Sequence, residues 1–201
     1  MRLLSLLLLT LLALPVAAQY DLVVGATYED QGLTSDVHRS HVGQVVFSTE
    51  PIAFRCENPD QFATSFGPYD PIYARHYLPA SVWNLTDDQT ELWYTFVFVV
   101  DGEEVHGRPS ERCHDECVAT LTTWQMNLDE NESYTNDKLK TAWKSLIESG
   151  YTTRAATEAR QATVIPLDGT HEIEVQVRVY SDEEYGGQVV ASGTFTYDAK
   201  G

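Results

Sequence analysis

The chain has 201 residues and a formal net charge of −17 at pH 7, because 30 Asp and Glu outnumber 13 Lys and Arg. Such an acidic surface repels phosphate backbones and anionic lipid, so we expect no nucleic-acid partner. The sequence also lacks the serine-elbow, zinc-protease, phosphate-loop and dinucleotide motifs, which disfavours the enzyme classes that depend on them.

Residues 1–18 are predicted to be a cleaved secretory signal. Arg2 precedes an unbroken apolar run, Pro15 breaks it, and Ala18 is a small residue before the predicted cut. The run is too short and wrongly flanked for a membrane span. No cysteine follows the cut directly, so we expect a secreted or periplasmic protein without a lipid anchor or membrane insertion. Residues 19–201 are predicted to form a single domain.

Seven segments have the composition or alternation of strands. Pro51 places the second half of one of them at an edge or a bulge. Trp93 to Val100 is apolar on both faces, which favours a central strand, and Asp101-Gly102 after it indicates a hairpin turn. The segments are residues 21–28, 43–54, 71–78, 93–100, 117–128, 171–180 and 188–197.

One amphipathic helix is predicted near residues 136–149, with Gly150 at the position where a helix ends. Its apolar residues recur at spacings of three and four: Leu139, Ala142, Trp143, Leu146 and Ile147. Together the elements predict a mainly β fold. The expected form is an antiparallel two-sheet sandwich of immunoglobulin-like or fibronectin-like architecture, with this helix inserted.

Three cysteines in an exported chain predict one disulfide and one remaining thiol. Cys113 and Cys117, in the segment RCHDEC, are the favoured pair because residues this close in sequence can meet in any fold. Cys56 is the alternative partner, and it would close a longer loop.

A metal site is the competing interpretation of RCHDEC, with Cys113, His114 and Cys117 as zinc ligands. His38 and His41 are a second candidate pair, in a segment predicted to be a loop. Calcium is the natural cation for so acidic a protein, although no complete ligand set is visible. We therefore expect no cofactor. A calcium-binding or zinc-binding secreted protein, extending to a metal-dependent hydrolase, is the alternative function.

The lysines are concentrated in the predicted helix. Lys138, Lys140 and Lys144 belong to it, and Lys200 is the only other lysine in the sequence. The simplest interpretation is a solvated helix face. The functional alternative is a docking surface for an acidic partner.

A second predicted contact surface consists of Tyr73, Arg75 and Tyr77, which alternate along one predicted strand and so share a face. Exposed aromatic and arginine side chains are good anchors for proteins or sugar rings. The competing interpretation is that these rings are buried. From both surfaces we expect a non-enzymatic binding or scaffolding module with a protein or glycan partner.

Overall fold

A computed structural model of the protein describes residues 30–85, 92–107, 110–112, 122–128, 137–181 and 187–200. Its helices are α1 (Asp36–Ser40), α2 (Asp137–Ser149) and α3 (Arg154–Glu158), with short 3-10 helices at Pro59–Gln61 and Val82–Leu85. Its strands are β1 (Gln44–Ser48), β2 (Ser65–Phe66), β3 (Tyr73–Tyr77), β4 (Leu92–Val100), β5 (Glu103–Glu104), β6 (Ser110–Arg112), β7 (Thr123–Asn127), β8 (Thr170–Ser181) and β9 (Gln188–Asp198).

The described strands form one curled sheet in the order β5-β4-β8-β9-β1-β3-β7, with β2 beside β9 and β6 beside β4. Strands β5, β4, β8 and β9 pair antiparallel, and so do β1, β3 and β7. A parallel contact between β1 and β9, at Gln44 and Ser192, joins these two antiparallel groups. The mainly β prediction is confirmed. The two-sheet immunoglobulin-like sandwich is not confirmed, because the described strands pair into a single mixed sheet.

The hairpin predicted at Asp101-Gly102 is present. Strand β4 pairs with β5 through a turn in which Asp101 and Gly102 have φ values of +50° and +84°, the left-handed pair that such a tight turn requires. The Asp101 carboxylate also accepts hydrogen bonds from the backbone N–H of Glu172 at 2.9 Å and from the His171 ring at 2.8 Å. The turn is thereby tied to the start of β8, which pairs antiparallel with β9.

The predicted helix is α2, which packs its apolar face on the sheet. Leu139, Trp143 and Leu146 are buried in the same apolar cluster as the inward side chains of β4, β8 and β9. The Trp143 ring centroid lies 5.7 Å from that of Phe98 and 5.8 Å from that of Phe195, so the helix contacts two different strands of the sheet. Aromatic pairs at such distances add to the stabilisation from apolar burial.

Gly193 allows β1 to lie close against β9. A Cβ atom at this position would overlap the backbone carbonyl of Val45 and would also press on the Phe47 ring. The backbone N–H of Ser192 donates to the carbonyl of Gly43 at 3.1 Å, immediately beside this contact. A glycine inside a strand often marks such a close backbone approach.

Gly193→Ala is expected to destabilise the fold by about 1–3 kcal/mol or more, because the new methyl group would force β1 away from β9. Equilibrium urea unfolding measures the change. Gly67→Ala is the matched control, since a Cβ there would meet only ordinary contact with Asp70, at 3.4 Å. Equal stability of the two variants would contradict this account of the β1–β9 junction.

Candidate binding cleft

A cleft of about 330 Å³ lies between α2 and the segment that leads into β3. One wall comes from α2 and the other from the turn at residues 68–70, and the structure describes the residues of both walls. Its lining residues are Pro68, Tyr69, Asp70, Ile72, Leu128, Lys140, Trp143, Lys144, Ile147, Glu148 and Tyr197. The volume falls at the lower end of the range of small ligand sites, which is roughly 300–1,000 Å³.

The floor of the cleft is apolar. Ile72, Leu128, Trp143 and Tyr197 are each between 3 and 5 % exposed. Leu128 donates its backbone N–H to the carbonyl of Ile72 at 3.0 Å, which continues the β3–β7 pairing and fixes both residues. Burial raises the pKa of Tyr197, whose ring lies edge-on to Trp143 at 5.3 Å. The floor therefore consists of rigid side chains from α2, β9 and the ends of β3 and β7.

The rim carries charges of both signs. Lys140 and Lys144 stand one helical turn apart on α2, and Lys144 lies 3.9 Å from Glu148. On the opposite wall, Asp70 accepts a hydrogen bond from the backbone N–H of Gly67 at 2.7 Å. Tyr69 beside it is 95 % exposed. The lining is therefore formally neutral, with two lysines and two carboxylates, on a protein whose net charge is −17.

The structure brings two of the predicted surface lysines, Lys140 and Lys144, to this cleft, and Lys138 belongs to the first turn of the same helix. The prediction that they contact a partner stays a prediction. Sequence reasoning missed the opposite wall. The sequence feature that could have indicated this wall is Pro68-Tyr69-Asp70-Pro71, in which an aromatic residue lies in a turn flanked by prolines. Prolines restrict the backbone of such a turn and so hold the ring at a fixed position.

The predicted tyrosine surface on β3 requires a correction. Arg75 is 4 % and Tyr77 0 % exposed, while Tyr73 is half-buried. The Arg75 guanidinium donates to the carbonyl of Ile52 from Nε at 3.2 Å and from Nη2 at 2.9 Å, and it lies 5.8 Å from the Phe54 ring. Burial lowers the pKa of Arg75 and raises that of Tyr77. This face is covered by other elements and is not an exposed contact surface.

His38 and His41 lie in and just after α1, a short helix where the sequence predicted a loop. Ser35 caps this helix by accepting a hydrogen bond from the backbone N–H of His38 at 2.9 Å. The buried His38 ring donates from Nε2 to the carbonyl of Leu78 at 2.9 Å and accepts at Nδ1 from the backbone N–H of Thr34 at 3.2 Å. Both of its nitrogens are thus engaged in hydrogen bonds.

The His41 ring also forms a hydrogen bond within the protein, because its Nδ1 donates to the carbonyl of Val37 at 2.8 Å. Within the described ranges, no group of three or more His, Cys, Asp or Glu is arranged to hold a metal ion. Cys56 is an exposed free thiol. Cys113, His114 and Cys117 lie outside the described residues, so the disulfide between Cys113 and Cys117 stays a prediction.

No protein-family model matches the chain, and no curated protein is significantly similar to it. In the part of the chain that the structure describes, no helix has the length and apolar character needed to span a bilayer.

Arg75→Met is expected to lower the free energy of unfolding by about 1–3 kcal/mol, because the carbonyl of Ile52 would lose its charged donor. Urea unfolding measures this loss. Arg39→Met is the control, since Arg39 forms only an exposed pair with Asp36 and its replacement should change stability by less than about 0.5 kcal/mol. A neutral effect of Arg75→Met would contradict a structural role.

Stability should fall as pH drops below about 6.5, the usual pKa of histidine in an unfolded chain. Burial lowers the pKa of His38, and burial with the charge of Arg75 lowers that of His76 much further. Below that pH the unfolded chain binds protons that the folded protein does not, which costs up to about 1.4 kcal/mol per pH unit for each histidine.

His38→Gln should therefore flatten the decline in stability between pH 6.5 and 5, because glutamine keeps a donor and an acceptor but does not titrate. Chemical unfolding at several pH values measures the slope. His106→Gln makes the same substitution at an exposed position and serves as the control. An unchanged slope in His38→Gln would show that His38 does not contribute.

Proposed function

We propose that the protein is an exported, non-enzymatic binding module and that its contact site is the cleft beside α2. The cleft itself supports the proposal, since an apolar floor with a polar rim is the usual make-up of binding sites. The floor residues are buried and lie in α2 and β9 or directly beside β3 and β7, so little ordering cost accompanies binding. The proposal needs only this β-rich scaffold and does not depend on a two-sheet arrangement.

Export is part of the proposal and rests on the predicted signal at residues 1–18. The expected location is therefore extracellular or periplasmic. A protein or a glycan is the expected kind of partner, since exposed aromatic rings such as Tyr69 serve both. The hydrogen bonds of His38 to Leu78 and Thr34 weigh against the alternative of a metal-dependent protein built on His38 and His41.

The proposal is tested by mapping ligands on the mature, isotope-labelled protein with NMR. Panels of short peptides and of neutral oligosaccharides are titrated separately, and the indole N–H of Trp143 and the backbone amides of α2 report on the cleft. We expect hits from at least one panel to shift these signals.

A pair of matched variants then tests the location. Ile147→Arg places a long charged side chain at the cleft. Val164→Arg also replaces an exposed apolar residue with arginine, but at a position that does not line the cleft. The affinity of the hits should fall about tenfold or more, equivalent to 1.4 kcal/mol, for Ile147→Arg only. Hits that shift signals elsewhere, or equal affinity of both variants, would overturn the proposal.

A further inference from the structure

The charge pattern around the cleft indicates what kind of partner it accepts. Three of the four lysines in the sequence lie in α2, in a chain with a net charge of −17. Two of them, Lys140 and Lys144, line the cleft from the same helix. A carboxylate that approaches this rim meets two ammonium groups beside the carboxylates of Asp70 and Glu148, whereas acidic groups predominate in the chain as a whole.

The floor of the cleft suits a large apolar side chain. About 330 Å³ accommodates a single large aromatic or branched aliphatic group. Ile72 and Leu128 supply aliphatic contact, and Trp143 supplies an aromatic ring, all of them buried and fixed by packing. Such a floor stabilises an apolar anchor in the way that interface hot spots do.

The geometry points to a partner protein as occupant: we propose that the cleft binds a segment in which an aromatic or large aliphatic residue is adjacent to a carboxylate. The apolar side chain enters the cleft, and the carboxylate lies against Lys140 and Lys144. This inference rests on the proposed function, which it deepens by naming the chemistry of the partner.

The acidic residues of the rim do not prevent this pairing. Lys144 and Glu148 form an exposed pair at 3.9 Å, and such surface pairs contribute little to stability, so a partner's carboxylate can replace Glu148. Asp70 is held by the backbone N–H of Gly67. Repulsion from more distant acidic groups is screened beyond about 8 Å at physiological ionic strength.

A neutral saccharide would use this rim less well. The C–H face of its ring can stack on Tyr69 and its hydroxyl groups can bond to Asp70 or to the lysines, but it has no negative charge to pair with the two ammonium groups. A carboxylate gains a charge-assisted hydrogen bond from each ammonium group that it meets. The lysine pair therefore favours the acidic peptide over the sugar.

The test is selection of peptides from a displayed library of random ten-residue sequences on the mature wild-type protein. Selected sequences should contain Asp or Glu next to a large apolar residue. One of them is synthesised, and its dissociation constant is measured by fluorescence anisotropy. The double variant Lys140→Glu/Lys144→Glu should lower its affinity about tenfold or more.

A double variant with the same change in net charge is the control. Arg39→Glu/Arg160→Glu alters two exposed arginines that do not line the cleft, so it should change the affinity by less than about threefold. Replacing the carboxylate of the peptide with an amide should weaken binding to the wild type but not to the lysine variant, as a double-mutant cycle requires.

The outcomes separate this inference from the proposed function. Acidic peptides that lose affinity for the lysine variant, and not for the arginine control, would support both. Peptides or sugars that depend on Ile147 but not on the lysines would overturn the inference and leave the binding module standing. Ligands that bind Ile147→Arg as well as the wild type would overturn both.

Discussion

The close approach of β1 to β9 at Gly193 is the constraint on which the rest of the molecule depends. Among the described strands it joins the two antiparallel groups, and the short β2 lies alongside β9 as well. The cleft lies across this junction, since Tyr197 belongs to β9 whereas Ile72 and Leu128 flank β3 and β7. Helix α2 packs over both groups, and the relative position of the cleft walls is therefore set by a contact that admits no side chain.

Much of the local structure could be predicted from the sequence, whereas the pairing of strands that are distant in the sequence could not. The alternation in residues 171–180, the Asp101-Gly102 turn and the apolar spacing of α2 are local signals, and the elements they predict are present. Which strands become neighbours depends on contacts between distant segments. A glycine inside β9 was the available sign of a close backbone approach, but a single glycine does not identify the strand that approaches.

The candidate site also has a part that could be predicted from the sequence and a part that could not. Helical periodicity places Lys140 and Lys144 away from the buried face, and there they line a cleft. Strand periodicity also places Arg75 and Tyr77 on one face, yet another part of the chain covers that face and accepts the guanidinium hydrogen bonds at the carbonyl of Ile52. The alternation of residues along a strand predicts which side chains share a face. It does not predict whether that face is exposed to solvent, because the segment that covers the face is distant in the sequence.

Under the proposed function, the acidic surface and the lysine helix would together give the cleft a means of selecting its partner. Specificity is a difference in binding free energy between partners, and repulsion at wrong sites contributes to it as much as attraction at the right one. An acidic segment that meets most of this surface faces like charge, whereas at the cleft it meets Lys140 and Lys144 above an apolar floor. For the proposed acidic partner, the high negative charge would therefore discourage other docking positions and leave the neutral cleft as the favoured one.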